Sequence, residues 1–441
     1  MKIMNKLILF LITALLTPTM FAKTAKILTL EDCIKIGMEQ SKTLKISESK
    51  LYQAVQKTEE VNAGMLPSLK FNASYTRLSE VDKFAMGTFV YPSIVDQYAV
   101  RMSLQQPVFT GFRLSSSSKM NEKFAEAAKT DLNKDRSQLI YDIKSAFWSY
   151  YKATEFNKSL LQNIEQVKAH LDDIQSFYNA GAATENDVLK VKVQLTNLQM
   201  TKIDAENAEK MSMYGLNNTI GLPTLTELTL NAEVDYKSKV IENLDQLVAN
   251  GIKVRSEIQS MEKRVEAGKY GITMAESGWY PQINFMANYY YNRPNQRIFP
   301  PKEEFHDTWD LGISLSFDVW NWMTTMRQTE QAKASLDQAS ISLEQIKDAI
   351  ILDISSSYLS YQKAMEKITA SEENVRQSEE NFRVTNEKFK AGTAINSDLL
   401  DAETALLVAK INHTTAIVDY EIAGAKLERA SGKKVESGKL Y

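Results

Sequence analysis

Two long stretches of the chain carry apolar residues at helical spacing without interruption. No glycine occurs in 112–180 or in 313–391, and apolar positions recur there every three or four residues. This spacing predicts two very long α-helices packed as left-handed coiled coils. His413 lies within the same kind of stripe further on and is predicted to be a packed, structural histidine. That stripe consists of Leu399, Ala402, Leu406, Ala409, His413, Ala416, Tyr420, Ala423, Leu427 and Ala430.

Four shorter runs alternate between apolar and polar residues, which is the period of a β-strand. Each run has about 9–11 residues with aromatics near its ends, as in the strands of a transmembrane β-barrel. A soluble sheet packed on a helix is the alternative, but four such runs joined by polar loops favour the barrel. The apolar positions are Leu69, Phe71, Ala73, Tyr75, Tyr98, Val100, Met102, Leu104, Ile283, Phe285, Ala287, Tyr289, Tyr291, Trp309, Leu311, Ile313, Leu315 and Phe317.

The same landmarks occur twice along the chain in the same order. Such self-similarity at a nearly constant offset predicts an internal duplication. The matched pairs are Gly181 with Gly392 and Gly221 with Gly432, 211 residues apart, and Pro67 with Pro281 and Leu30 with Leu244, 214 residues apart.

Each copy is predicted to contain a helix, two strands, a long helix and a further helix. The first copy, 23–220, has them at 31–65, 68–80, 97–106, 114–178 and 183–219. The second copy, 244–432, has them at 244–278, 282–292, 308–318, 320–389 and 395–431. Residues 221–243 are predicted to connect the copies and 433–441 to form a tail. Residues 1–22 combine Lys2, Lys6 and a short apolar run, which predicts a secretory signal peptide cut after Ala22.

The fold class predicted from these elements is mainly α with a β-barrel part. At about 1.5 Å per residue each long helix spans ~100 Å, and the two shorter helices of a copy span ~52 and ~56 Å. The shorter helices laid end to end therefore match the long one, as in the wall of a cylinder. Four strands are too few to close a barrel in lipid, where open edges are not tolerated. We therefore expect several chains to share one barrel, and twelve strands from three chains suit a conducting pore better than eight.

Composition excludes several classes of function. The net charge of −3 on 441 residues argues against nucleic acid as a partner, which requires a basic surface. The three histidines, His170, His306 and His413, are scattered, and no phosphate-binding loop, nucleophile elbow or cysteine–histidine cluster occurs. We therefore expect no enzymatic activity, no cofactor and no metal site. The single cysteine of the mature chain, Cys33, is predicted to be a small packed residue on a helix.

Several junction motifs resemble those of a known family, the outer-membrane efflux proteins or TolC-like channel-tunnels of Gram-negative bacteria. The resemblance covers essentially the whole mature chain, and the order of the motifs is its most specific part. The motifs are Ala63-Gly-Met-Leu-Pro-Ser-Leu69, Gln106-Pro-Val-Phe-Thr-Gly-Phe112, Ser277-Gly-Trp-Tyr-Pro-Gln-Ile283, Phe389-Lys-Ala-Gly-Thr-Ala-Ile-Asn-Ser-Asp398-Leu-Leu-Asp401 and Leu427-Glu-Arg-Ala-Ser-Gly432.

The resemblance implies a homotrimer with a twelve-stranded barrel in the lipid of the outer membrane and a helical tunnel in the periplasm. It also implies two partners, namely a periplasmic adaptor (membrane fusion) protein and an inner-membrane pump of the RND or ABC type. The chain would then be a passive exit duct for efflux or for type I protein secretion. A periplasm-spanning coiled-coil scaffold without a pore is the alternative, although a scaffold has no use for four lipid-length strands.

The resemblance also implies a gate where the tunnel narrows at its periplasmic end. The matching acidic positions are Asp398 and Asp401, which the spacing of three places on one helix face. Three copies would give two carboxylate rings that favour cations, although Asp398 also suits the first turn of a helix. In the first copy Asp187 matches Asp398, but Lys190 stands where Asp401 stands. Asp187 is therefore predicted to start a helix, with a possible contact to the other hairpin.

Two further expectations concern the same periplasmic end of the expected tunnel. The family closes its gate with a tyrosine and an arginine, and the matching residues here are Phe389 and Ala394. Neither can form those hydrogen bonds, so closure is expected to rest on packing. The turns that join the helices are predicted to be exposed and to dock the adaptor through small or apolar residues. These docking residues are Gly181, Ala182, Gly392, Thr393 and Ile395.

Overall fold

The computed structural model describes residues 26–80, 85–87, 89–90, 93–232 and 243–432. The predicted signal peptide 1–22, the tail 433–441 and part of the 221–243 connection lie outside these described residues. Within them, no helix is long and apolar enough to cross a membrane.

The first half of the chain folds into two short helices, a set of strands and two long antiparallel helices. Its elements are β1 Lys26–Leu28, α1 Leu30–Gln40, α2 Lys42–Ala63, β2 Ser68–Arg77, β3 Ala85–Met86, β4 Phe89–Val90, β5 Asp96–Thr110, α3 Arg113–Asn179, α4 Glu185–Ile220 and β6 Leu228–Leu230. Helix α3 has 67 residues, and β1 pairs with β6 in parallel.

The second half follows the same order of elements. They are α5 Leu244–Val254, α6 Ser256–Glu276, a 3₁₀ turn at Ser277–Trp279, β7 Gln282–Arg293, β8 His306–Ser316, α7 Thr324–Lys390 and α8 Asn396–Ala430. Helix α7 has 67 residues, the same length as α3.

The prediction of one continuous first helix in each copy, over 31–65 and 244–278, is wrong. The first is divided at Ser41 (ψ 126°) and the second at Arg255 (ψ 125°), where the backbone is extended. The short helix before each break lies close against a long helix. A Cβ added at Gly37 would collide with Ile143, and a Cβ added at Gly251 would collide with Ile354. After each break α2 or α6 continues the chain to β2 or β7.

The start of the second long helix also differs from the predicted residue 320. Trp322 and Met323 have positive φ values of 53° and 63°, which a right-handed helix does not accept, so α7 begins at Thr324. Strand β5 continues to Thr110 through a register shift between Pro107 and Phe109. Proline cannot donate to the ladder, and such irregularities are the usual place for it in a strand.

Three buried apolar clusters hold the helices together. The first joins α1 to the middle of α3 and the end of α4 and contains Ile143 and Leu216. The second joins α5, α7 and α8 around Ile354. The third lies near the helix turns, where Ile164 of α3, Val191 of α4, Phe389 of α7 and Leu399 of α8 come together. The α3–α4 hairpin and the α7–α8 hairpin, called the first and second hairpins below, are therefore packed together near their tips.

Candidate functional sites at the sheet and at the hairpin tips

The four long strands form one antiparallel sheet in the order β2-β5-β7-β8. Two strands come from each half of the chain, and the halves meet where β5 pairs with β7. Within the described residues, the outer edges of β2 and β8 have no further strand beside them. Exposed edges of this length are ready to pair with another strand.

One face of this sheet is apolar across all four strands. Residues paired directly in antiparallel strands lie on the same face, so the register turns the predicted alternation into continuous rows. Phe71 is 66% exposed and Ile313 is 76% exposed, so this face is uncovered in the protomer. One row consists of Leu69, Leu104, Ala287 and Leu311, and the next of Phe71, Met102, Tyr289 and Trp309.

The opposite face of the sheet carries a polar side-chain network. The Arg101 guanidinium donates to Asn288 Oδ1 at 2.9 Å, and Asn288 Nδ2 donates to Asp310 Oδ1 at 2.7 Å. Arg297 pairs with the same Asp310 carboxylate at 3.2 Å. The sheet therefore separates an apolar surface from a hydrogen-bonded polar surface.

Exposed aromatic residues gather where the sheet meets the helices. Trp320 and Trp322 are 69% and 83% exposed, and their ring centroids lie 5.8 Å apart. Phe112 of the first half lies edge-on to Tyr280 of the second half, with ring centroids 5.5 Å apart. These side chains stand at one end of the strands, next to the starts of α3 and α7.

The two hairpin turns have nearly the same backbone. Gly181 and Gly392 have φ values of 75° and 71° and end the long helices with left-handed residues. Their Cβ positions have no neighbouring atom within 4 Å, so both turns are open. The other proposed docking residues, Ala182, Thr393 and Ile395, are also exposed.

Asp187 of the first hairpin belongs to a capping box. The Thr184 hydroxyl donates to Asp187 Oδ2 at 2.6 Å, the Thr184 N–H donates to the same oxygen at 3.1 Å, and the Asp187 N–H donates to Thr184 Oγ1. These bonds hold the pKa of the Asp187 carboxyl below its usual range, the Thr184 hydroxyl having the largest effect. Asn396 of the second hairpin donates to the Asp187 carbonyl at 3.1 Å. Asp187 thus starts a helix and also contacts the other hairpin.

The second hairpin starts α8 without such a cap. Ile395 occupies the cap position and makes no side-chain hydrogen bond. Asp398 and Asp401 lie in the first two turns of α8, and both are exposed. In the described part of the chain neither carboxylate forms a hydrogen bond or an ion pair, so both face solvent.

Phe389 lies inside the contact between the hairpins. It is 4% exposed, and its ring stands edge-on to His170 at 5.0 Å and 5.5 Å from Phe177. His170 Nδ1 lies 3.2 Å from Glu403 Oε2. Sequence reasoning missed this polar pair, because it treated His170 as scattered and did not single out Glu403. The available signal was the place of Glu403, directly beside Ala402 of the apolar stripe.

Comparison with known proteins gives matches to both halves of the chain. The family model described as "Outer membrane efflux protein" matches residues 36–222 and 248–433. The alkaline protease secretion protein AprF of Pseudomonas aeruginosa is 22% identical over 424 residues, which covers 91% of this chain and 85% of AprF. The outer membrane protein TolC of Escherichia coli strain K12 is 20% identical over 389 residues, which covers 86% of this chain and 77% of TolC.

A solved structure has the same fold. The CmeC outer membrane channel of Campylobacter jejuni superposes with a TM-score of 0.78 at 13% identity, covering 91% of this chain and 85% of CmeC. At that identity the likeness concerns the fold alone. The family model, which matches most of the chain in two segments, decides the family. The chain belongs to the outer membrane efflux protein family.

Proposed function

We propose that this chain is the protomer of a homotrimeric exit duct in the outer membrane and that it is not an enzyme. The observation that carries the proposal is the four-stranded sheet with one continuous apolar face and two open edges. An open edge in lipid leaves backbone N–H and C=O groups without partners, so β2 of one protomer pairs with β8 of the next. Three protomers supply twelve strands, enough for a barrel wider than one filled by its own side chains.

The two faces of the sheet support this assignment. The apolar rows face the lipid, and the Arg101–Asn288–Asp310 network faces the lumen. Trp320 and Trp322 lie at the membrane–water interface, where exposed tryptophan is favoured. The helices extend from that interface into the periplasm, with the hairpin tips about 100 Å away at a rise of about 1.5 Å per residue.

The hairpin tips form the periplasmic entrance of the duct. Asp398 and Asp401 form the gate as two carboxylate rings, supported by Phe389 and Asp187 at the contact between the hairpins. The open turns at Gly181 and Gly392 receive a periplasmic adaptor, with Ala182, Thr393 and Ile395 at the contact. An inner-membrane pump of the RND or ABC type supplies the energy. Because AprF is named for protease secretion, secreted proteins are proposed as cargo alongside small molecules.

The barrel is tested by cross-linking the two open edges. Ala73→Cys on β2 is combined in turn with Trp309→Cys, Leu311→Cys and Ile313→Cys on β8. One of these pairs is expected to give a ladder of cross-linked species ending at three chains. Val100→Cys with Tyr291→Cys is the control, because those residues are paired within one chain and give no ladder.

The pore is tested by inserting the purified trimer into planar bilayers. Single-channel conductance is expected from outer-membrane material that runs as a trimer. A soluble, non-conducting product without the edge ladder would contradict the proposal and favour the periplasm-spanning scaffold.

A further inference from the structure

A buried ionisable pair joins the two hairpins inside the third cluster. His170 of α3 and Glu403 of α8 are each only 3% exposed, and His170 Nδ1 lies 3.2 Å from Glu403 Oε2. Asn163 of α3 also reaches across, with Nδ2 3.5 Å from the Glu403 carbonyl. The pair is therefore a buried polar connection between the first and second hairpins, in addition to the Asn396–Asp187 hydrogen bond nearer the turns.

The surroundings offer this pair no second charged partner. His170 Nε2 is buried without a hydrogen-bond partner among the described residues, and Phe389 of α7 covers the imidazole edge-on. The third cluster, to which Phe389 belongs, has apolar members on all four helices of the two hairpins. Most charged residues that these helices carry near the pair are exposed, namely Lys168 and Asp172 on α3, Lys190 and Lys192 on α4, Glu387, Lys388 and Lys390 on α7, and Asp398 and Asp401 on α8. Asp173 on α3 is half-buried.

The chemistry of such a pair depends on how many protons it holds. With one proton it is neutral overall, either as imidazolium with carboxylate or as imidazole with carboxylic acid. A second proton leaves a buried cation without a counter-ion, and loss of the proton leaves a buried anion. Either change is costly in an apolar contact, so the hairpins separate more readily.

We propose that His170 and Glu403 form a one-proton latch that holds the second hairpin against the first and keeps the periplasmic entrance closed. The proposal rests on the proposed function, because it assigns this latch to the same gate. Glu403 is two residues beyond Asp401 on α8, so a movement of α8 that widens the carboxylate rings also draws Glu403 away from His170.

Two single substitutions are expected to have opposite pH responses. In Glu403→Gln only the imidazole can charge, so acidification from about pH 8 to about pH 5 creates a buried cation and opens the entrance. In His170→Gln the carboxylate is unpaired at about pH 8, so this variant is open there and closes on acidification, as the carboxylate gains a proton. The double variant His170→Gln/Glu403→Gln is uncharged at every pH and is expected to show a flat response.

The measurement is the closed-to-open ratio of single channels across that pH range. Each single variant is expected to shift this ratio at least about tenfold, which corresponds to about 1.4 kcal/mol. Glu165→Gln is the matched control, because this carboxylate on α3 is 72% exposed and pairs with Lys168 at the surface. It is expected to behave like the wild type. Responses of the same sign in the two single variants would show a packing role only and would overturn the latch.

A second readout separates the latch from the pore. The thermal midpoint of the detergent-solubilised full chain is expected to fall on acidification in Glu403→Gln and to rise in His170→Gln, both relative to wild type. If the wild-type protein forms no channel, the proposed function fails, and these midpoints still test the one-proton pair. If channels form but the midpoints and open fractions show no opposite response, the latch alone fails.

Discussion

The two hairpins share a turn but use their first aspartate differently. In the first hairpin Thr184 and Asp187 bond to each other, so the carboxylate is occupied at the start of α4. In the second hairpin the equivalent of Thr184 is Ile395, which makes no side-chain cap, and Asp398 stays exposed without that partner. The difference teaches that one residue at the cap position decides whether the aspartate caps a helix or remains exposed without a partner.

The largest effect is expected from removing the two exposed carboxylates of the second hairpin. Asp398→Ala with Asp401→Ala removes both proposed rings, so block of the channel by divalent cations is expected to weaken about tenfold or more, equal to about 1.4 kcal/mol of binding free energy. Conductance in planar bilayers at increasing cation concentration measures the block. Glu165→Ala is the control, because this exposed carboxylate pairs with Lys168 on the surface of α3, and it is expected to leave the block unchanged. Equal block in the double variant and wild type would remove these residues from the gate.

The next effect concerns a feature that the two copies share. A Cβ at Gly37 collides with Ile143 Cδ1 and a Cβ at Gly251 with Ile354 Cδ1. Gly37→Ala and Gly251→Ala are each expected to lower the free energy of unfolding by about 1–3 kcal/mol through overpacking. Ile143→Val and Ile354→Val remove the colliding methyl groups and are expected to restore part of the loss in the respective double variants.

Chemical denaturation of the detergent-solubilised chain measures these effects. The control is Gly215→Ala on α4, where a Cβ meets no atom within 4 Å. This substitution is expected to be stabilising, by about 0.5–1 kcal/mol, because glycine is unfavourable inside a helix. A gain in unfolding free energy at Gly37 or Gly251 like that expected at Gly215 would show that the close approach is unimportant.

These glycines also mark what the sequence could and could not predict. Helical periodicity and glycine punctuation are local signals, and they located the long helices, the turns at Gly181 and Gly392 and the strands to within a few residues. The breaks at Ser41 and Arg255 were missed because they follow from contacts with helices that are distant in sequence. Neither break contains proline, and Ser41 makes no side-chain cap hydrogen bond.

At the candidate gate, too, the features set by local sequence were predicted and a contact between distant residues was not. Spacing alone placed Asp398 and Asp401 on one helix face, and Asp187 was predicted to start a helix, which the structure shows as a capping box. The His170–Glu403 pair joins residues 233 positions apart, so no local pattern could connect them. Only the packing of α3 against α8 brings an isolated histidine to a buried carboxylate.

A smaller effect is expected from removing the helix cap of the first hairpin and from creating one in the second. Thr184→Ala removes the capping box and is expected to cost about 1 kcal/mol of unfolding free energy. Ile395→Thr creates the same pair of residue types in the second hairpin and engages Asp398, so cation block is expected to weaken while stability rises. Denaturation and bilayer recordings measure the two outcomes. Ile395→Ala adds no acceptor and serves as the control. Unchanged block in Ile395→Thr would mean either that Asp398 still binds cations while it caps the helix or that Asp398 does not contribute to the block.

The cap also predicts a pH dependence confined to the first hairpin. The pKa of Asp187 is lowered in the folded state, chiefly by the Thr184 hydroxyl. Its stabilisation is therefore present above the unfolded-state pKa of about 3.9 and is lost as the pH falls through the lower folded-state pKa. Thermal midpoints between about pH 6 and about pH 2 are expected to fall more steeply in wild type than in Asp187→Asn. Parallel curves would contradict the role of the ionised carboxylate in the cap.

The smallest expected effect is at a position where the copies differ in residue type but not in burial. Cys33 of α1 and its counterpart Leu247 of α5 are 0% and 2% exposed. Burial, with a smaller effect of Asp32, raises the pKa of the Cys33 thiol to about 12, so little reactive thiolate is present at neutral pH. A maleimide reagent is expected to label the unfolded chain but not the folded one, while Ala182→Cys at the open turn is labelled at once. Rapid labelling of folded Cys33 would show that α1 opens away from α3, because both the burial and the raised pKa depend on that contact.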